Sequence, residues 1–328
     1  MINQQKKSGN SSKDKVTICV VGSINMDLVL QMNKLPVRGE TVVGNTIQHI
    51  PGGKGANQAV AASRLGGKVN FIGRIGTDNF GTELFNFLKS ENLNLEGIKK
   101  SKTNSGLAIV AVDSRGQNSI IIFPGSNGDV KPKSLVEHTN LIEESDVIVA
   151  QYEIPMKTVE ALLIKAKQLN KITVLNPAPA KITSEKIFSH VDYLIVNQTE
   201  LAFFMETEKM LEDIDEIIIF AKKLREKGPK NVIVTLGDRG AIAVTEKGVL
   251  HSKTVKVNVV DTTAAGDCFV GAFATQIGKG IALEECLNFA NKAAALSVQR
   301  LGASNSLPYL DDVLHMDGDF LGSIPTEE

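Results

Sequence analysis

Residues 255–277, VKVNVVDTTAAGDCFVGAFATQI, carry a β-branched run into a turn of small residues and then into a helical pattern. The reading is a strand over 255–260, a turn Asp261-Thr262-Thr263-Ala264-Ala265-Gly266-Asp267, and a helix over 268–277. Small residues free the N–H groups of Ala264, Ala265, Gly266 and Asp267 to face an anion, and the helix dipole adds positive potential. The hole is the size of a phosphate. Phosphoryl transfer asks a protein mainly for positioning, charge stabilisation and a carboxylate that accepts the nucleophile's proton, which Asp267 is placed to supply. An ordinary first-turn acid and a turn-forming Asp261 satisfy the same residues, so the rest of the chain has to decide.

Outward from this unit, short β-branched runs (16–21, 146–150, 172–175, 193–196, 232–236) alternate with longer helical patterns. That alternation marks a parallel sheet covered by helices on both faces. One helix is expected over 155–169, with Pro155 in its first turn and Val159, Leu162, Leu163, Ala166 and Leu169 on one face. Two stretches, 26–50 and 106–123, read as strands without intervening helices. They form either a small separate sheet, a lid on the main domain, or edge strands of the large one.

The composition is that of an ordinary enzyme: 328 residues, 42% hydrophobic, with 36 basic and 37 acidic side chains for a net charge of −1. Nothing basic points to nucleic acid or an anionic membrane. Cys19, Cys268 and Cys286 are too scattered for a zinc site or a disulfide framework, which suits a reducing cytoplasm. Residues 1–15 are polar and read as a disordered tail, and no apolar run approaches membrane-spanning length.

A second glycine-rich turn, Gly52-Gly53-Lys54-Gly55-Ala56-Asn57, opens a helical pattern over 56–65 that Gly66-Gly67 ends. Its glycines let a ligand approach bare N–H groups, and Lys54 and Asn57 add polar contacts. It is neither dinucleotide fingerprint nor P-loop: Gln58 stands where G-x-G-x-x-G needs its third glycine, and Gly55 follows Lys54 where a P-loop needs Ser or Thr. Alone, it is a tight turn before a helix.

Together the two turns resemble the paired signatures of the ribokinase family, the PfkB carbohydrate kinases: G-G-K-G-A-N-Q-A at 52–59 and D-T-x-A/G-A-G-D at 261–267. The resemblance covers 16 to about 308. It implies a three-layer α/β/α sandwich with a mainly parallel central sheet and a small β-sheet lid, in a kinase domain of residues 16–310 followed by a C-terminal extension, 311–328. Two departures stand out: the general motif has glycine at Ala264, and Cys268 replaces the usual threonine. Cys268 either packs at the helix start or makes the site sensitive to thiol reagents.

What the resemblance implies about the site can be stated residue by residue. Asn25, Met26 and Asp27 resemble the N-x-D that binds ribose hydroxyls, Gly53, Lys54, Gly55, Ala56 and Asn57 the loop closing the sugar site, and Glu153 a further sugar-contacting carboxylate. Asn176-Pro177-Ala178-Pro179-Ala180 is another stretch similar to the family's. Asn197 and Glu200 match an N-x-x-E motif in which Asn197 contacts ATP and Glu200 orders Mg2+ through water, although the same spacing suits a helix capping box. Thr235, Leu236, Gly237, Asp238, Arg239, Gly240 and Asn291 resemble positions around the adenosine, and 232–245 also reads as a hairpin. Asp261, Thr263, Ser297, Arg300, Gly302 and Ser306 match a K+ site built mainly of backbone carbonyls. The implied reaction moves the ATP γ-phosphoryl group to O5 of D-ribose with Asp267 as base, in a homodimer paired through its lids. Deoxyribose, a ketohexose or a nucleoside are the competing acceptors, and a non-catalytic sugar sensor the competing class.

Overall fold

The structure, a computed structural model, describes residues 15–316; residues 1–14 of the expected tail (1–15) and 317–328 of the expected extension (311–328) lie outside the described residues. Thirteen strands follow in chain order: β1 Thr17–Val21, β2 Asn25–Met32, β3 Gly44–Gly52, β4 Lys68–Ile75, β5 Ile98–Lys100, β6 Gly106–Val112, β7 Asn118–Phe123, β8 Val147–Gln151, β9 Ile172–Asn176, β10 Tyr193–Asn197, β11 Asn231–Thr235, β12 Ala241–Thr245 and β13 Gly248–Ser252. Nine form one sheet in the order β13-β12-β11-β10-β9-β8-β1-β4-β5. Pairing is parallel from β5 to β11 and antiparallel at β11/β12, the hairpin expected over 232–245, and at β12/β13.

Alternate residues of each short central strand feed two separate cores, which is why these strands read as unbroken apolar runs. Ile18 and Val20 of β1 enter one core with the helices Lys54–Arg64, Ala265–Gly278 and Leu283–Ser297. Cys19 and Val21 enter the other, with Met156–Gln168, Gln198–Phe204 and Ile214–Glu226. The three layers are those expected. Gly271 lets two helices on the first face touch: a Cβ there would lie 2.6 Å from Ala61 Cβ and 2.7 Å from the Gln58 carbonyl. The two glycine-rich turns are thereby brought to one place.

β2, β3, β6 and β7 form a second, four-stranded sheet, order β3-β2-β6-β7, so 26–50 and 106–123 build a lid and not an edge of the large sheet. Only Gly22, Ser23 and Ile24 separate β1 from β2, and β3 runs directly into the helix that begins at Lys54. The lid therefore rises from the carboxyl ends of the central strands. Between β1 and β8 the chain order reverses, and in open α/β sheets such a switch point is where ligands bind.

Two expectations change. Residues 255–260 form no strand: β13 already closes the sheet, and the segment instead follows the helix Leu283–Ser297. The N–H groups of Val260 and Asp261 both donate to the Val298 carbonyl, at 2.7 and 3.1 Å. A short helix, Leu310–Leu314, buries Val313 in the core, and Arg64 stacks 4.8 Å over the Tyr309 ring. Pro155 caps the helix Met156–Gln168 from outside its first turn.

Candidate active site

The carboxyl ends of four parallel strands each present a polar residue, Gln151, Asn176, Asn197 and Thr235, aligned in pairs across the sheet (Gln151 with Asn176, Asn197 with Thr235). Above them starts the helix Ala265–Gly278, and Asp267 lies buried in its first turn. Both oxygens of Asp267 accept side-chain amides from the neighbouring helix: Asn57 Nδ2 reaches Oδ2 at 3.0 Å and Gln58 Nε2 reaches Oδ1 at 2.9 Å. The carboxylate is held in place beside the turn of residues 52–57, as a base facing a substrate there requires.

Around the turn of residues 52–57, where the sugar was expected, Glu153 Oε2 accepts from Ser23 Oγ at 2.6 Å and from the Lys54 N–H at 3.1 Å, pinning the turn. Asn25 Oδ1 accepts from Asn127 Nδ2 at 2.7 Å, and the same amide brackets Ile24. Burial, helped by the negative charges of Glu153 and Asp267, pushes the Asp27 carboxyl up from its ordinary 3.8 to about 7. Lys54 answers this crowd of carboxylates. Burial alone would pull its ammonium down, but Asp267, Glu153 and Glu200 outweigh that and hold it above the usual lysine range. Met26 and Ala56, expected at the sugar, bury their side chains in the core, which leaves only their backbone to face a ligand.

Ala264 adopts a left-handed conformation (φ 61°, ψ 7°) at the start of the helix, the geometry for which the family motif has glycine. Of the four N–H groups expected to face an anion, that of Ala265 donates to the Thr262 carbonyl at 3.2 Å. The turn itself therefore uses it. Gly266 faces open space, with nothing within 4 Å of where a Cβ would stand. Cys268 is fully buried and its thiol is pushed up to about 12 by burial, which favours packing at the helix start over reaction with thiol reagents.

Beside Gly266 opens a cavity of about 460 Å³, lined by Thr235, Gly237, Asp238, Gly240 and Asn291 among others, with Val255, Val257 and Val259 supplying apolar walls. The valines misread as a strand thus line a pocket. Leu236 and Arg239, grouped with these in the sequence, face a different cleft. Asn291 Nδ2 is engaged by Ser252, at 2.9 Å to the carbonyl and 2.8 Å to Oγ. Asn197 and Glu200 form the capping box that their spacing allowed: Asn197 Oδ1 accepts from the Glu200 N–H at 2.7 Å and Glu200 Oε2 from the Asn197 N–H at 2.9 Å. Burial raises the Glu200 carboxyl, which lies within the fields of Lys54 and Asp267.

Asp261 joins two loops. Its Oδ1 accepts from the Thr263 N–H and hydroxyl (2.9 and 2.6 Å) and its Oδ2 from the Gly302 N–H at 3.0 Å. Ser297 and Ser306 turn their hydroxyls to nearby carbonyls, those of Ala294 and Ala303, and Arg300 lies 3.4 Å from Asp312. With its carboxylate so engaged, this corner fits a monovalent cation only through backbone carbonyls, the donors that suit K+. Glu200, a hard oxygen donor within the fields of Lys54 and Asp267, fits Mg2+ held mainly by phosphate and water.

Sequence reasoning missed the polar residues that hold the site from beneath. Gln58 stood out only as a letter of the family signature and as the residue that breaks a glycine pattern, and Ser23, Asn127 and Ser304 not at all; Ser304 Oγ donates to Asn57 Oδ1 at 2.7 Å. Polar residues within otherwise apolar strand ends and helix faces, Gln58, Gln151 and Asn176, were the available signal.

Comparisons with known proteins agree with this geometry. The profile of the pfkB family carbohydrate kinases matches residues 15–310. The ribokinase of Schizosaccharomyces pombe is 37% identical over 314 residues, covering 93% of this chain and 98% of its own. The crystal structure of ribokinase from Thermotoga maritima superposes with a TM-score of 0.82 at 38% identity, over 91% of this chain and 98% of that one. The Arabidopsis thaliana ribokinase complexed with ribose and ATP gives 0.84 at 31% identity, over 92% and 98%. The chain belongs to the pfkB family of carbohydrate kinases.

Proposed function

We propose that this chain transfers the γ-phosphoryl group of ATP to O5 of D-ribose, giving ribose 5-phosphate and ADP. The observation that carries the reading is Asp267, held by Asn57 and Gln58 between the sugar turn and the cavity beside Gly266. Asn25, Asp27 and Glu153 offer carboxylates and an amide to neighbouring hydroxyls, a set that discriminates against ligands leaving it unpaired. Asp267 takes the proton from the attacking hydroxyl, while the N–H groups of Ala264, Gly266 and Asp267 face the charge on the transferring group. Lys54 adds a fixed positive charge toward the same point.

Mg2+ supplies charge neutralisation along the phosphates when bound, and Glu200 is the residue that would order it through water. K+ would rest on backbone carbonyls of the loops that Asp261 joins, beside the helix start. The lid excludes water that would otherwise compete as acceptor. Its β7 is exposed along its whole length, with Ile120, Ile121, Ile122 and Phe123 each 43–55% exposed. A second copy covering this apolar face makes a homodimer, and a monomer in sedimentation would refute it. The acceptor is tested by assaying ADP release with ribose, deoxyribose, fructose and adenosine. Ribose turned over no better than fructose or adenosine would overturn the reading.

A further inference from the structure

We infer that Gln58 is the positioning residue for the base: it sets the plane of the Asp267 carboxylate from the buried side, and Gln151 in turn sets Gln58. The inference rests on the reading of Asp267 as base. An aspartate carboxylate has only broad preferences about its last torsion, so its plane must be imposed by neighbours. Here one donor reaches each oxygen, Gln58 Nε2 at 2.9 Å and Asn57 Nδ2 at 3.0 Å, from adjacent residues of one helix.

The direction of the amides follows from a fixed reference. The backbone carbonyl of Ile195 can only accept, and Asn176 Nδ2 donates to it at 3.0 Å. Asn176 must therefore turn Oδ1 toward Gln58, whose Nε2 donates to it at 3.2 Å while also donating to Asp267. Gln58 Oε1 is left to accept, and Gln151 Nε2 reaches it at 2.6 Å. Flipping the Gln58 amide would set oxygen against oxygen at both Asn176 and Asp267. Room for this chain is made by Gly22, where a Cβ would lie 2.1 Å from Gln151 Oε1.

Gln58 and Gln151 are 0% exposed, so neither reaches a sugar and Gln58 acts through Asp267 alone. Buried amides are costly unless paired, and an apolar pair would fill the same space. Their arrangement ends on one carboxylate.

The test is Gln58→Met, which keeps length and removes the donors. Ribose-dependent kcat is expected to fall on the order of 10- to 100-fold, with KM for ribose and ATP within about twofold of the parent. In an Asp267→Asn background the same substitution is expected to change the residual rate by less than about twofold, because no carboxylate remains to orient. A parental kcat, or an equal loss in both backgrounds, overturns the proposal. Should Gln58→Met fail to fold, Gln151→Met removes only the outer anchor, and a kcat loss that persists undiminished without Asp267 overturns it likewise. Failure of the underlying reading looks different: a parent inactive on ribose, or Asp267→Asn turning over at the parental rate, removes the base itself.

Discussion

Replacing Asp27 by asparagine is expected to stabilise the sugar-free protein at alkaline pH while weakening its hold on sugar. The Asp27 carboxyl is raised from an ordinary 3.8 to about 7 by burial and by the charges of Glu153 and Asp267. Between these two values the folded state keeps a proton that the unfolded chain has lost, so the stability of the native protein falls as pH rises from about 4 to about 7, then levels off. About three pH units at about 1.4 kcal/mol each amounts to about 4 kcal/mol carried in full above pH 7. Asparagine keeps the shape and never ionises. Its advantage over the parent is therefore expected to be about 4 kcal/mol at pH 8, about 2 kcal/mol at pH 5.5, and nearly nothing at pH 4. Urea unfolding of both proteins at pH 8 and 5.5 measures the difference, and ribose should protect the parent more strongly as pH rises through 7 while protecting Asp27→Asn little. An advantage independent of pH, or a variant less stable than the parent at pH 8, would refute the electrostatic account of this site.

Three further outcomes follow from the geometry. Asp267→Asn is expected to lose turnover by a factor on the order of 100 to 10,000 while binding of ribose and ATP by calorimetry stays near parental, and a near-parental rate would exclude it as base. Rates in K+ are expected to exceed those in Na+, and equal rates with no monovalent ion added would count against the carbonyl site joined by Asp261. Ala264→Gly is expected to stabilise the fold by up to about 1 kcal/mol by relieving the left-handed alanine, partly offset by the flexibility glycine adds to the unfolded chain; a lowered Tm contradicts this.

Much of the fold was legible because parallel strands buried on both faces leave unbroken β-branched runs, and the turn residues between them are chemically distinctive. The segment 255–260 shows the limit: V-K-V-N-V-V satisfies the pattern of a strand, but whether a partner strand is there to take its hydrogen bonds is not written locally. Residues 26–50 and 106–123 read as strands for the same local reasons, and which sheet they joined depended on pairings between segments some 80 residues apart, such as Asn25 with Gly106.

By itself, the sequence determined the two glycine-rich turns and the acid at the helix start, each a property of residue type and short-range spacing, while the set Asn25, Asp27 and Glu153 came from its resemblance to the family. Only the tertiary structure decided what surrounds them. Asp27 is raised because folding buries it near Glu153 and Asp267, and Asp267 is oriented because the helix Lys54–Arg64 packs close enough, at Gly271, for Asn57 and Gln58 to reach it from 210 and 209 residues away in the chain. Burial and charge act through space, so the environment of a carboxylate cannot be read along a chain. The residue itself can.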